Sequence, residues 1–90
     1  MKRKAEQLFR PIEPVDIRAI QELERGTADE TQQKHALRFI VENLCGVYMP
    51  TFGESDRDSN FLDGRRYVGL EIINCLKLNP AKIAEEKRNG

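Results

Sequence analysis

Ala36 to Leu76 reads ALRFIVENLCGVYMPTFGESDRDSNFLDGRRYVGLEIINCL, two amphipathic runs joined by an aromatic loop and a strongly polar one. In the first run Ala36, Leu37, Ile40, Val41 and Leu44 recur at helical spacing, with polar residues between them. Cys45-Gly46 supplies the stop. Upstream, Thr27-Ala28-Asp29-Glu30 matches a capping box, in which a hydroxyl and a carboxylate three residues apart satisfy each other's backbone donors. These signals predict a helix over about 28–45.

In the second run Phe61, Val68, Ile72 and Cys75 make one ridge, and Leu62, Gly69, Ile73 and Leu76 widen it. The helix is expected to start near Ser59 or Asn60, with Asn60 and Asp63 able to act as cap and acceptor. A helix over about 59–77 follows, broad enough in its apolar face to meet more than one neighbour. Between the runs Pro50 forbids regular helix. Tyr48 and Phe52 are expected to plug the end of a helical hairpin or to stand out as interaction anchors.

Outward from this centre, Pro14 suits a first helical position, Asp16 places negative charge near the helix start, and Gly26 ends the run. Val15, Ile17, Ile20 and Leu23 are its apolar stripe, so a short helix over about 14–25 is expected to dock on the others. Asn79-Pro80 restarts the chain as a last helix over about 80–87, too short to stand undocked. The predicted architecture is all-α: a single helical domain over 13–88, built on an antiparallel helical hairpin, behind a basic tail at 1–12.

Composition bounds the functional classes. Ninety residues, 39% hydrophobic and 33% charged, make one small domain with a modest core and no spare bulk. The formal charge is zero but uneven. Lys2, Arg3, Lys4 and Arg10 against Glu6 give the first ten residues +3, whereas Glu13, Asp16, Glu22, Glu24, Asp29 and Glu30 against Arg18 and Arg25 give the next twenty −4. No apolar run approaches the ~20 residues of a membrane span, and the residues after Met1-Lys2-Arg3-Lys4 lack a signal-peptide core. A cytosolic site of synthesis and residence is therefore expected. Cys45 and Cys75 are expected to be reduced core residues.

Chemistry has little to work with. His35 is the one histidine, and on a polar helical stretch a solvated or edge role is expected of it. Glu54-Ser55-Asp56-Arg57-Asp58-Ser59 lacks the central Gly and distal Glu of a calcium loop, and Gly64 to Gly69 lacks the ending of a phosphate loop. No catalytic residue, metal ligand or cofactor site is assigned, and a non-enzymatic protein is expected.

Arg65 and Arg66 stand out. Neighbours on a helix point about 100° apart, so one should point to solvent and the other lie at the core boundary. The latter is expected to pair with Asp63 or Glu42 or to cap the carbonyls at the Cys45 end of the preceding helix, with an intermolecular ion pair as the next alternative and phosphate binding the last. The flanking Gly64 and Gly69 each weaken a helix by about 1 kcal/mol relative to alanine. They imply close approach of another helix, within the fold or across an interface. Phe61 and Val68 are expected to face the core beside them.

Taken together, Ala36-Leu37-Arg38-Phe39-Ile40, the Leu44-Cys45-Gly46-Val47-Tyr48 turn, Thr51-Phe52, and Phe61-Leu62-Asp63-Gly64-Arg65-Arg66-Tyr67-Val68-Gly69-Leu70 resemble the Bbp-type family of small proteins from tailed bacteriophages, typified by a short-tailed Bordetella phage. Leu62-Asp63 stands where members often carry Asn-Glu, and residues 1–30 lie outside the likeness. The resemblance implies a phage (podovirus-type) origin and a small helical fold. By association it implies a virion or assembly protein, a helical adaptor docking on portal, capsid, tail or internal components in multiple symmetric copies. The expected locations are the virion and, during assembly, the host cytoplasm. Contact candidates are Arg65, Arg66, Tyr48, Phe52, Lys2, Arg3 and Lys4. The alternative is a small nucleic-acid-binding factor gripping phosphates through the basic N-terminus and a helix, against which the zero net charge weighs.

Overall fold

The computed structural model describes residues 8–89. The elements are α1 (Pro14–Arg25), α2 (Glu30–Arg38) running directly into a π-helical segment (Phe39–Leu44), α3 (Asp56–Lys77) and α4 (Pro80–Asn89). The fold is all-α, as the sequence indicates, and no strand forms among the described residues.

Local chemistry sets the boundaries. Pro14 opens α1, the Glu13 amide donates to Asp16 Oδ2 at 2.8 Å, and Gly26 at φ 75° closes it in the left-handed conformation that glycine adopts without steric cost. For α2 the cap is Asp29, not Thr27. Asp29 Oδ1 accepts from the Gln32 amide at 2.8 Å and the Gln32 side chain accepts from the Asp29 amide at 3.1 Å. Thr27 instead bonds back to Glu22, so the helix starts at Glu30 and not near 28.

α3 begins at Asp56, ahead of the expected 59, because Ser55 Oγ accepts from the Asp58 amide at 3.2 Å. Ser59, one of the rival starts, is drawn inward, its Oγ accepting from the Gly53 amide at 2.8 Å. Asn79 caps α4 through the Ala81 amide at 3.0 Å, and that helix runs to Asn89, past the expected 87.

The largest departure from the expected hairpin is the π-helical segment. The Cys45 amide reaches back five residues to Ile40 O at 2.8 Å, and Gly46 at φ 63° then turns the chain out. At about 4.4 residues per turn, positions four apart share a face. Phe39 and Asn43 are thus buried towards α1 and the chain before it, while Val41 and Cys45 are buried towards α3. The expected stripe of Leu37, Ile40 and Leu44 is displaced: Leu37 is exposed, Ile40 and Leu44 half-buried. The segment is the hub of the molecule, with a core of Val41, Cys45 and Val47 to which Ile40, Ile72 and Ile73 add partial cover.

Helix one also docks by an unexpected face. Val15, Ile17 and Leu23 are 45–50% exposed, and the buried positions are Asp16 and Ala19. Ala19 and Ala36 are the small residues buried on the two helices α1 and α2. Nothing in α4 is buried, and in α3 only Leu62 and Gly69 are fully so. No helix among the described residues is long and apolar enough to cross a membrane.

Candidate functional site

The turn that leaves the π-helical segment, Cys45 to Gly53, is fastened to α3 by both arginines of the central motif. Arg65 Nε and one terminal nitrogen donate to Leu44 O at 2.8 and 2.5 Å, and that nitrogen also reaches Asn43 O at 3.4 Å. Carbonyls at a helix end have no partner within the helix, so the guanidinium fork completes that end and lends it positive charge. Arg66 Nε donates to Val47 O at 3.1 Å, one turn further on. The adjacent pair therefore clamps two successive parts of one elbow.

Gly69 is the third fastening. A Cβ built on it would collide with Val47 and lie 2.8 Å from Cys45 Cβ, so the α3 backbone is seated directly on the turn. Gly64 has no such role among the described residues, none of which comes within 4 Å of a Cβ placed there. Phe61 and Val68, expected in the core, are 53% and 52% exposed. The physical reason is phase: α3 turns Leu62, Gly69 and Ile73 inward, which rotates the Phe61 ridge about 100° away from them.

Held this way, the elbow presents its aromatics to solvent. Tyr48 is 77% and Phe52 64% exposed. Val47, Tyr48, Met49, Pro50, Thr51 and Arg66 line an open concavity of about 440 Å³ beside them. Phe9, 57% exposed, comes up against Tyr48, Met49 and Glu42 in a smaller hollow. Of six aromatic residues in the chain, Phe9, Tyr48, Phe52, Phe61 and Tyr67 are exposed and Phe39 alone is buried.

A second polar constellation was not signalled in the sequence. Asp16, fully buried, accepts a two-pronged bond from Arg10 at 2.6 and 2.8 Å, lies 2.7 Å from His35 Nε2, and accepts from the Glu13 amide. Its carboxyl is held far below the usual carboxylate range, first by the Arg10 guanidinium and then by the Glu13 amide and His35, against the opposing effect of burial. Arg10 also covers the Phe39 ring, 5.8 Å from its centroid, and its amide donates to Asn43 Oδ1 at 2.9 Å. Asn43 Nδ2, buried, finds no acceptor among the described residues.

The network ties the chain before α1 to α2 and to the π-helical segment. A carboxylate in a first helical turn reads as a helix-dipole complement, and no signal in the sequence joins it to a histidine nineteen residues on. His35 accordingly sits at an edge, half-buried and bonded to Asp16.

Burial pushes the Cys45 thiol up, in keeping with an inert core residue, whereas Cys75 is exposed and not in the core as expected. Among the described residues no group of three or more His, Cys, Asp or Glu side chains converges as a metal site would require. Lys2, Arg3 and Lys4 lie outside the described residues.

Against known proteins, the family model of the Bbp19-like phage proteins matches residues 41–86. That span begins inside the π-helical segment and takes in the elbow, both arginines, both glycines of α3 and most of α4. No curated protein and no solved structure matches the chain.

Proposed function

We propose, from the premise that the chain belongs to the family of Bbp19-like phage proteins, that it is a non-enzymatic virion or assembly subunit, a small helical adaptor whose elbow docks on another phage protein. The observation that carries this reading is the exposure of five of the six aromatic rings. Folded domains ordinarily cover such rings, and exposed aromatics with a neighbouring arginine are what protein interfaces use as anchors.

The arginine clamps supply the rigidity an anchor needs. Tyr48 and Phe52 extend from a turn whose backbone carbonyls are tied at Leu44 and Val47, so less conformational freedom remains to be lost on docking. The same bonds occupy part of the cationic surface that phosphate recognition would use, which favours a protein partner over nucleic acid. In that setting the protein works in the host cytoplasm during assembly and in the virion.

The test is mass spectrometry of purified particles. A fixed copy number per particle, reduced when Tyr48→Ala and Phe52→Ala are introduced together, is expected. Absence of the chain from mature particles and from assembly intermediates would overturn the reading.

A further inference from the structure

Granted that the elbow docks on another phage protein, on which this inference rests, we propose that the partner presents an Asp or Glu side chain, flanked by apolar residues, to the terminal nitrogens of Arg66. Arg65 and Arg66 are fastened to the same turn by different parts of their guanidinium groups. Arg65 meets Leu44 O and Asn43 O with its Nε and a terminal nitrogen. Arg66 is held by its Nε, 3.1 Å from Val47 O. Its terminal nitrogens have no partner among the described residues, and Arg66 enters none of the ion pairs that Arg10, Arg25, Lys34, His35 and Arg38 form. Tethering at Nε steadies the group while leaving the end-on pair of nitrogens, an edge that grips a carboxylate with two parallel bonds.

The surroundings commit that edge to a carboxylate carried by a protein. Arg66 lines the open concavity of about 440 Å³ together with Val47, Tyr48, Met49, Pro50 and Thr51, all of which are uncharged. In the free chain Arg66 is exposed, so solvent reaches it. A partner that covers Tyr48 and Pro50 covers Arg66 as well, because the three share one hollow. A guanidinium enclosed in this way without a counter-charge opposes docking strongly. A carboxylate removes that penalty, whereas a neutral or basic surface is turned away, so Arg66 selects the partner as well as holding it. A nucleic-acid backbone fits less well. It is gripped by several cations in a row, whereas this hollow offers one cation among largely apolar residues.

Phage assembled with Arg66→Lys in place of the wild-type chain test the pairing. A water-soluble carbodiimide joins the amine at position 66 to a carboxylate in contact with it. The product is an amide, and the water lost is taken up by the carbodiimide, which leaves as a urea. Mass spectrometry of the digested particles is expected to find that amide ending on an Asp or Glu of another phage protein, with apolar residues beside it. The Lys34 amine, 2.8 Å from Glu30 within the chain, is the positive control for coupling.

Charge reversal is the second arm. Arg66→Glu, with helical circular dichroism unchanged, should lower the copies of the chain per particle at least about 10-fold, since losing one member of a buried charge pair weakens binding by about 30-fold or more. Placing an arginine at the mapped carboxylate of the partner should restore them.

Coupling at Lys34 with none at position 66, an amide from position 66 to its own chain, or wild-type incorporation of Arg66→Glu would overturn the proposal. Lost incorporation of Arg66→Glu with no amide at position 66 would overturn it in favour of a phosphate. If Tyr48→Ala with Phe52→Ala lowers incorporation while Arg66→Glu does not, docking by the elbow survives and the carboxylate falls. Absence of the chain from particles and assembly intermediates removes both.

Discussion

Substituting each glycine of α3 by alanine applies one chemical change at two positions that the structure makes opposite. In a helix interior alanine is favoured over glycine by about 1 kcal/mol, so with nothing else in play both variants would be more stable. At Gly64 no atom of the described residues lies within 4 Å of the new methyl. Gly64→Ala should therefore stabilise the monomer by up to about 1 kcal/mol.

At Gly69 the same methyl overlaps Val47 and sits 2.8 Å from Cys45 Cβ, both in the buried core. Relief requires α3 to lift from the turn, and such overpacking costs typically about 1–3 kcal/mol. Net of the helical gain of about 1 kcal/mol, Gly69→Ala should be up to about 2 kcal/mol less stable than wild type. Urea unfolding followed by circular dichroism, at protein concentrations where sedimentation shows a monomer, reads the difference. With a slope of about 1 kcal/mol/M for a chain this small, the Gly69→Ala midpoint should fall by up to about 2 M and that of Gly64→Ala should rise. Equal shifts for the two variants, or a rise for Gly69→Ala, would refute the seating of α3 on the Cys45–Val47 turn.

Arg65→Ala should lower stability by about 1–2 kcal/mol, because it strips the fork from Leu44 O and Asn43 O, and Arg65→Lys should restore only part, as an ammonium cannot reproduce the fork; urea midpoints decide this. Arg66→Ala loses one partly solvated bond to Val47 O and should cost less, about 1 kcal/mol or below. Asp16 has a folded-state carboxyl held below its unfolded value of about 4, so its contribution is present above that pH and is lost as pH falls through the folded value. Asp16→Asn should thus be less stable at neutral pH and lose less between pH 5 and 2, compared by thermal melts, with parallel curves counting against the network. Tyr48→Ala and Phe52→Ala, which remove exposed rings, should leave the melting temperature within about 2–4 °C of wild type while lowering capture of the chain in particles.

Much of the local structure was legible in the chain. Helix one, from Pro14 to Arg25, and the restart at Asn79-Pro80 were readable because a proline at a first helical position and a glycine just past the end act within a few residues. That one arginine of the pair would reach the core boundary was equally short-range, since adjacent helical positions diverge by about 100°, whereas the choice of the elbow carbonyls over Asp63 or Glu42, and by both arginines, came from the fold. The start of α3 was less legible: Ser55, Asp56, Asp58, Ser59 and Asn60 can each cap a helix, and the choice fell to Ser55 with Ser59 engaged by the Gly53 amide.

By itself, then, the sequence determined the helical class, the order of the helices and a central motif of arginines and glycines built for close contact. Those depend on propensity, capping and periodicity, which act over one or two turns. Only the tertiary structure decided which faces those helices would turn inward. The π-helical segment rotates Phe39 and Asn43 to one side and Val41 and Cys45 to the other, and a five-residue hydrogen-bond step carries no residue signature of its own.

Tertiary structure likewise sent Gly69 into the fold and left Gly64 outside it, and brought Arg10 and His35 to Asp16. The physical reason is the same in each case. Burial of a given side chain depends on atoms supplied from many residues away, whereas the pattern along a helix specifies only that some face must be covered.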